Sequence, residues 1–150
     1  MNRTTSSIWK TVAVWLVFLA ASCGDGQLRP VAITAGDACD YCRMAISEKQ
    51  YAGELLDLDG NTRKFDDLSC MLKYLKKSNP GVAAYFVMDY ETRSWVKAEE
   101  ASFVRSSQLK TPMSGGIIAF KDKTKAEEAL RRHQGELITF KQLLNDTRTS

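Results

Sequence analysis

Two short stretches constrain the fold most: Phe65-Asp66-Asp67 and Phe120-Lys121-Asp122 each close an alternating apolar run and open a run with helical spacing. Before the first, residues 51–58 and 62–65 alternate around Asp59-Gly60-Asn61, which predicts a β-hairpin. After it, Leu68, Met71, Leu72 and Leu75 follow the i, i+3, i+4, i+7 spacing of one buried helical face, with Asp66 or Asp67 as the cap. Ser78-Asn79-Pro80-Gly81 stops that helix, and residues 83–89 are apolar enough for a central strand. The second half repeats the order. Residues 94–99, 102–106 and 116–121 read as strands, Thr124 with Glu127 as a capping box, and Ala126, Ala129, Leu130 and His133 as the stripe of a second helix. Gly135 ends it and residues 137–140 return as a strand. The fold class is therefore α+β, two ββαβ units related by internal duplication, at 37–91 and 92–145. A short helix starts near Gln142 and frays by Thr147, with 146–150 as a disordered tail.

The first 22 residues stand outside this pattern. Arg3 and Lys10 flank an apolar run at 11–21 that has the length of a signal-peptide core and is too short to span a bilayer. It ends in Leu19-Ala20-Ala21-Ser22-Cys23, which resembles a bacterial lipobox, with Ala20 where Leu is usual; simple cleavage near Ala21 is the alternative. On the lipobox reading Cys23 carries lipid and is not a metal ligand, residues 23–36 form a tether with a short lead-in strand, and the domain works at a membrane surface. Gly24 follows Cys23 and the acid comes only at Asp25, which favours the outer membrane over the inner. Loss of Arg3 and Lys10 takes the formal charge from +3 to about +1. Nothing resembles a basic patch interleaved with aromatics, and Lys73, Lys76 and Lys77 form a solvated helix face, so nucleic acid is not an expected partner.

With Cys23 set aside, three of the four cysteines remain: Cys39, Cys42 and Cys70. An odd number in an oxidising compartment leaves at least one thiol unpaired. Cys39-Asp40-Tyr41-Cys42-Arg43-Met44 can be read four ways. Zinc lacks a fourth ligand, since His133 is the single histidine. A thiol-exchange pair requires a helix starting at Cys39, and the pattern after Cys42 is strand and hairpin. A structural disulfide, Cys39 to Cys42 or Cys39 to Cys70, is the third reading. Copper(I) is the fourth, because it accepts a few soft thiolate and thioether donors. Cys42 and Met44, two apart on a predicted strand, share a face and take precedence over Cys39. Cys70 falls in the first turn of the first helix, where the helix N-terminus favours its thiolate; a small buried hydrophobe is the other reading of it. Met113 lies in the loop Thr111-Pro112-Met113-Ser114-Gly115-Gly116 with no periodic reason to be apolar. Met71 and Met88 are core residues, and His133 is a polar helix end.

Three motifs together, Cys39 to Met44, Phe65-Asp-Asp-Leu-Ser-Cys-Met71 and Thr111-Pro-Met-Ser-Gly-Gly-Ile-Ile-Ala-Phe120, resemble the NosL family of nitrous-oxide-reductase accessory lipoproteins in order and spacing. The resemblance spans the mature chain. It implies two ββαβ units of a kind also likened to the organomercurial lyase MerB. It further implies a non-catalytic, periplasm-facing copper(I) chaperone that supplies the copper centres of nitrous oxide reductase through a membrane ABC-type complex. The family's motif sulfurs fall on Cys42, Met44 and Met113, with Cys39 and Cys70 as further candidates. Thiol–disulfide exchange by Cys39 and Cys42, and a structural lipoprotein with a zinc or disulfide clip, stand as alternatives.

Overall fold

A computed structural model describes residues 28–149. The signal segment, Cys23 and the first part of the expected tether lie outside the described residues. Strands β1 (Gly53–Asp57) and β2 (Thr62–Phe65) form the expected hairpin, with Gly53 opposite Phe65 and Leu56 opposite Thr62. Its turn is tied by Asp57, whose Oδ1 accepts the N–H groups of Asp59 and Asn61 at 3.0 and 2.8 Å. Gly60, at φ +84°, occupies a left-handed position that suits a residue without Cβ. Helix α1 (Leu68–Ser78) follows, and β3 (Val82–Met88) returns antiparallel along the other edge of β1.

The second unit repeats this arrangement. Strand β4 (Trp95–Lys97) precedes it, then β5 (Ser102–Arg105), β6 (Ile117–Phe120), α2 (Lys123–His133) and β7 (Glu136–Thr139). The three-stranded sheet has the order β6-β5-β7, which matches β2-β1-β3 of the first sheet. Helix α3 (Phe140–Thr149) closes the chain and packs on α1. One buried apolar cluster crosses between the units: Phe65, Leu68, Met71 and Val87 of the first share it with Phe103, Ala119 and Phe140 of the second. Each fully buried Phe or Leu in it contributes about 1.5–3 kcal/mol from burial, so the units stabilise each other.

Three local expectations need correction. Residues 94–99 do not open the second unit: Trp95 pairs with Met88 and Lys97 with Phe86, which makes β4 the edge of the first sheet, and the chain then turns through one 3-10 turn at Ala98–Glu100. The cause is Asp89, whose Oδ1 accepts the N–H groups of Glu91 and Thr92 and the Thr92 hydroxyl, folding the chain back beside β3. The cap of α2 is Asp122, whose side chain accepts the Thr124 N–H at 2.8 Å, so Thr124 lies inside the helix. Helix α3 begins at Phe140 and continues through Thr147, because Leu143 is buried and the Thr147 hydroxyl donates to the Leu143 carbonyl at 2.8 Å.

A single buried carboxylate joins the units near the start of α1. Asp67 caps the helix through Oδ1 to the Ser69 N–H (2.7 Å), while its Oδ2 accepts the Thr111 hydroxyl (2.5 Å) and the Met113 N–H (3.0 Å). Thr111 Oγ1 in turn accepts the N–H groups of Gly115 and Gly116 at 3.0 and 3.2 Å. The loop lies so close that a Cβ on Gly115 would collide with Ser69 and come within 2.7 Å of Asp67 Oδ1.

Two outcomes follow for stability. Gly115→Ala should destabilise the domain by about 1–3 kcal/mol in urea denaturation, whereas Gly36→Ala, with nothing within 4 Å of its added Cβ, serves as the neutral control. Burial raises the Asp89 carboxyl, but hydrogen bonds from Lys121, Thr92 and Glu91 outweigh it and hold the group below the usual carboxylate range. A depressed folded value means that this stabilisation is complete above the unfolded pKa of about 3.9 and is lost as pH falls through the folded value. Asp89→Asn should therefore cost about 2 kcal/mol at neutral pH, with a smaller difference from the parent in acid, measured by denaturation at both pH values.

Candidate metal centre

Three elements meet at the N-terminal end of α1. The first is the loop holding Cys39 and Cys42, closed by an isolated antiparallel bridge between Ala38 and Ala45. Inside it the Cys39 N–H donates to the Met44 carbonyl (2.8 Å) and the Arg43 N–H to the Cys39 carbonyl (2.9 Å). Arg43 sits at φ 68°, a left-handed residue that reverses the chain. The second element is the end of β2. Asp40 grips it twice, donating its N–H to the Lys64 carbonyl and accepting the Lys64 N–H on Oδ2, both at 2.8 Å. Asp66 follows directly. The third is the first turn of α1, which carries Cys70 with its N–H on the Asp67 carbonyl at 2.9 Å.

These elements bring the thiols of Cys39, Cys42 and Cys70 and a carboxylate oxygen of Asp66 within 4.8 Å of one another. Cys39 and Cys70 are fully buried, Asp66 is buried and Cys42 is half-buried, so the cluster has one more open side. The Cys42 thiol donates to Asp66 Oδ1 at 3.6 Å. The three thiols are free, so neither the Cys39–Cys42 nor the Cys39–Cys70 disulfide is formed. Burial pushes the Cys39 thiol up to about 11. Burial also pushes Cys70 up, reinforced by the negative charge that Cys39, Asp66 and Cys42 would place beside it. The helix N-terminus thus does not set the state of Cys70 as expected; desolvation wins. Four potential anions in a small buried space repel one another, and a cation relieves that repulsion. Thiolates suit a soft one.

Of the five candidates the structure brings the three thiols, of Cys39, Cys42 and Cys70, into one cluster. Cys39 lies inside the cluster beside Cys42, although the sequence ranks it below Met44. The reason is that 39–44 is a tight turn and not a strand, so alternation does not govern which side chains share a face. Met44 is 58% exposed, and Tyr41 of the same loop is 37% exposed. Met113 is half-buried, held by its backbone to Asp67 and packed on the same apolar cluster that contains Cys39 and Cys70. Met71 and Met88 are core, as expected, and His133 ends α2 outside the thiol cluster. Asp66 is the member that sequence reasoning missed. A signal was present: two successive acids precede α1 and only one can cap it, which leaves the other for a different task. The duplication adds a second signal, because the places of Asp66 and Cys70 are taken by Lys121 and Lys125 in the second unit, so a cluster of this kind can form in the first unit alone.

A family model described as NosL matches residues 30–147. No curated protein matches the chain. Among solved structures the fold is similar to that of the crystal structure of the copper chaperone NosL from Shewanella denitrificans. The TM-score is 0.69 at 23% identity, covering 75% of this chain and 93% of that one. The two ββαβ units and the thiol cluster thus sit within a match that spans most of the sequence, and the chain belongs to the NosL family.

Proposed function

We propose that the domain binds one copper(I) ion at Cys39, Cys42, Cys70 and Asp66 and passes it to a copper-requiring partner. The observation that carries this reading is the convergence of three free thiols and one carboxylate within 4.8 Å. Membership of a family with a copper chaperone among its structures supports the choice of cargo. Buried thiols with raised pKa values make poor nucleophiles, and no helix starts at Cys39, so the cluster does not suit thiol–disulfide exchange. Loading displaces thiol protons to solvent, that of half-buried Cys42 leaving its hydrogen bond to Asp66 as the carboxylate turns to the ion. Release begins at the rim, where half-buried Cys42 and exposed Met44 can meet an incoming soft donor before the buried thiols let go. Thioether donors suit this step because they do not form disulfides. Met113, fixed to Asp67 by its backbone, is a further thioether candidate.

The finer reading follows the family. Copper(I) would be delivered toward nitrous oxide reductase through an ABC-type membrane complex, from a periplasm-facing chain anchored by lipid on Cys23. One observation favours a second reading: Asp66 supplies the fourth donor that a zinc site lacked on paper, so a Cys3Asp zinc clip is chemically possible.

Competitive titration of the reduced protein with a copper(I) chelator separates the two. One equivalent should bind, and Cys39→Ser, Cys42→Ser and Cys70→Ser should each weaken binding by roughly a hundredfold or more, since even outer-shell changes cost about 10–100-fold. Undiminished affinity in Cys42→Ser would refute the site. A domain that melts at the same temperature with and without zinc is a carrier; one that unfolds on zinc removal is a clip.

A further inference from the structure

The chain enters the domain along a fixed path. The Val31 N–H donates to both carboxylate oxygens of buried Glu54, at 2.9 and 3.2 Å. The Ala32 carbonyl accepts the Lys64 ammonium at 2.8 Å and the Ile33 carbonyl accepts that of Lys49 at 2.7 Å. Such a clamp determines which face of the domain lies next to whatever holds the preceding residues. Beside that entry point is an open cavity of about 510 Å³, lined by Leu28 and Arg29 together with Trp95 and Lys97 of edge strand β4 and Lys121 after β6.

The lining is unusual for this nearly neutral protein. Arg29, Lys97 and Lys121 are all exposed, and none of their side chains makes a hydrogen bond or ion pair among the described residues. Glu100 is the one acid in the lining, which leaves an excess of positive charge. Leu28 is 40% exposed and Trp95 half-buried. Unpaired cations around an indole and an exposed leucine are the composition that residues take at a membrane–water interface, where the ring lies at headgroup level and the cations meet phosphate. Cys23 lies five residues before Leu28, so even a fully extended link reaches only about 18 Å.

We propose that this cavity seats the phosphate of an anionic phospholipid, so that the domain docks on its own membrane through β4 and the entry segment. The proposal rests on the lipid anchor at Cys23. Docking fixes the orientation of the copper cluster relative to the bilayer, whereas a tether alone would leave the domain free to tumble.

Tryptophan reports on the site directly. Trp9 and Trp15 precede Cys23, so of the three tryptophans Trp95 alone remains in a chain processed there. The mature protein is purified from membranes and placed on vesicles of brominated phosphatidylcholine, alone or mixed with brominated phosphatidylglycerol. Docking predicts strong Trp95 quenching with phosphatidylglycerol, weak quenching without it, and loss of the difference at high salt. The double variant Lys97→Gln/Lys121→Gln should lower the docked-to-undocked ratio by roughly thirtyfold. Lys73→Gln/Lys77→Gln, the same charge change on the exposed face of α1, should leave it in place. Equal quenching on both vesicles, or an unaffected Lys97/Lys121 variant, overturns the proposal. So does millimolar inorganic phosphate abolishing the phosphatidylglycerol effect at constant ionic strength, since the cavity would then be a site for free anions. Mass spectrometry of the N-terminus reads the anchor separately. If Cys23 carries no acyl chain the anchor fails, and Trp95 quenching by phosphatidylglycerol vesicles still decides the docking: its presence supports the cavity and its absence refutes it.

Discussion

The buried carboxylate of Asp67 is the interaction on which the site depends. One oxygen caps α1 and so sets where the first turn, with Cys70, begins; the other holds Thr111 and Met113 of the second unit. A buried carboxylate is costly unless fully satisfied, and this one is satisfied only when both units are in place. Packing of α3 on α1 and the shared apolar cluster support the same interface. The thiol–carboxylate cluster is therefore a product of the paired units, although all four of its side chains come from the first.

Two copies of one unit have diverged at the positions that matter for chemistry. Both keep an aspartate cap at the start of an eleven-residue helix, Asp67 and Asp122, and both keep the aromatic that closes the preceding strand. Only the first places an acid and a thiol around that cap. Burial then raises the thiol pKa values of Cys39 and Cys70, so the protonated form is the favoured one there in the absence of a cation. Half-buried Cys42 is the most open member of the cluster, and Met44 two residues on is exposed.

Much of the fold was legible because the signals were local. Leu68, Met71, Leu72 and Leu75 mark α1 by period alone, and the Asp59-Gly60-Asn61 turn marks the first hairpin. Other features depend on information that periodicity does not carry. The left-handed Arg43 turns 39–44 into a loop, which places Cys39 in the cluster and leaves Met44 exposed. Strand β4 could be recognised as a strand, but its partner is chosen by the side chain of Asp89. The cluster's fourth donor, Asp66, was hidden behind its neighbour, since either acid could have capped α1 until the three-dimensional path of the hairpin was known. Desolvation of Cys70 likewise follows from what packs on it, and outweighs the helix-end effect that sequence position suggests.

The central claim is that a single ion is held by sulfur from Cys39, Cys42 and Cys70. X-ray absorption at the copper edge of the stoichiometrically loaded, reduced protein measures this directly. The account predicts copper(I) with a first shell dominated by sulfur, and a loss of sulfur donors when Cys39 or Cys70 is replaced by serine. A first shell made chiefly of nitrogen or oxygen, or a sulfur count indifferent to both replacements, would contradict it.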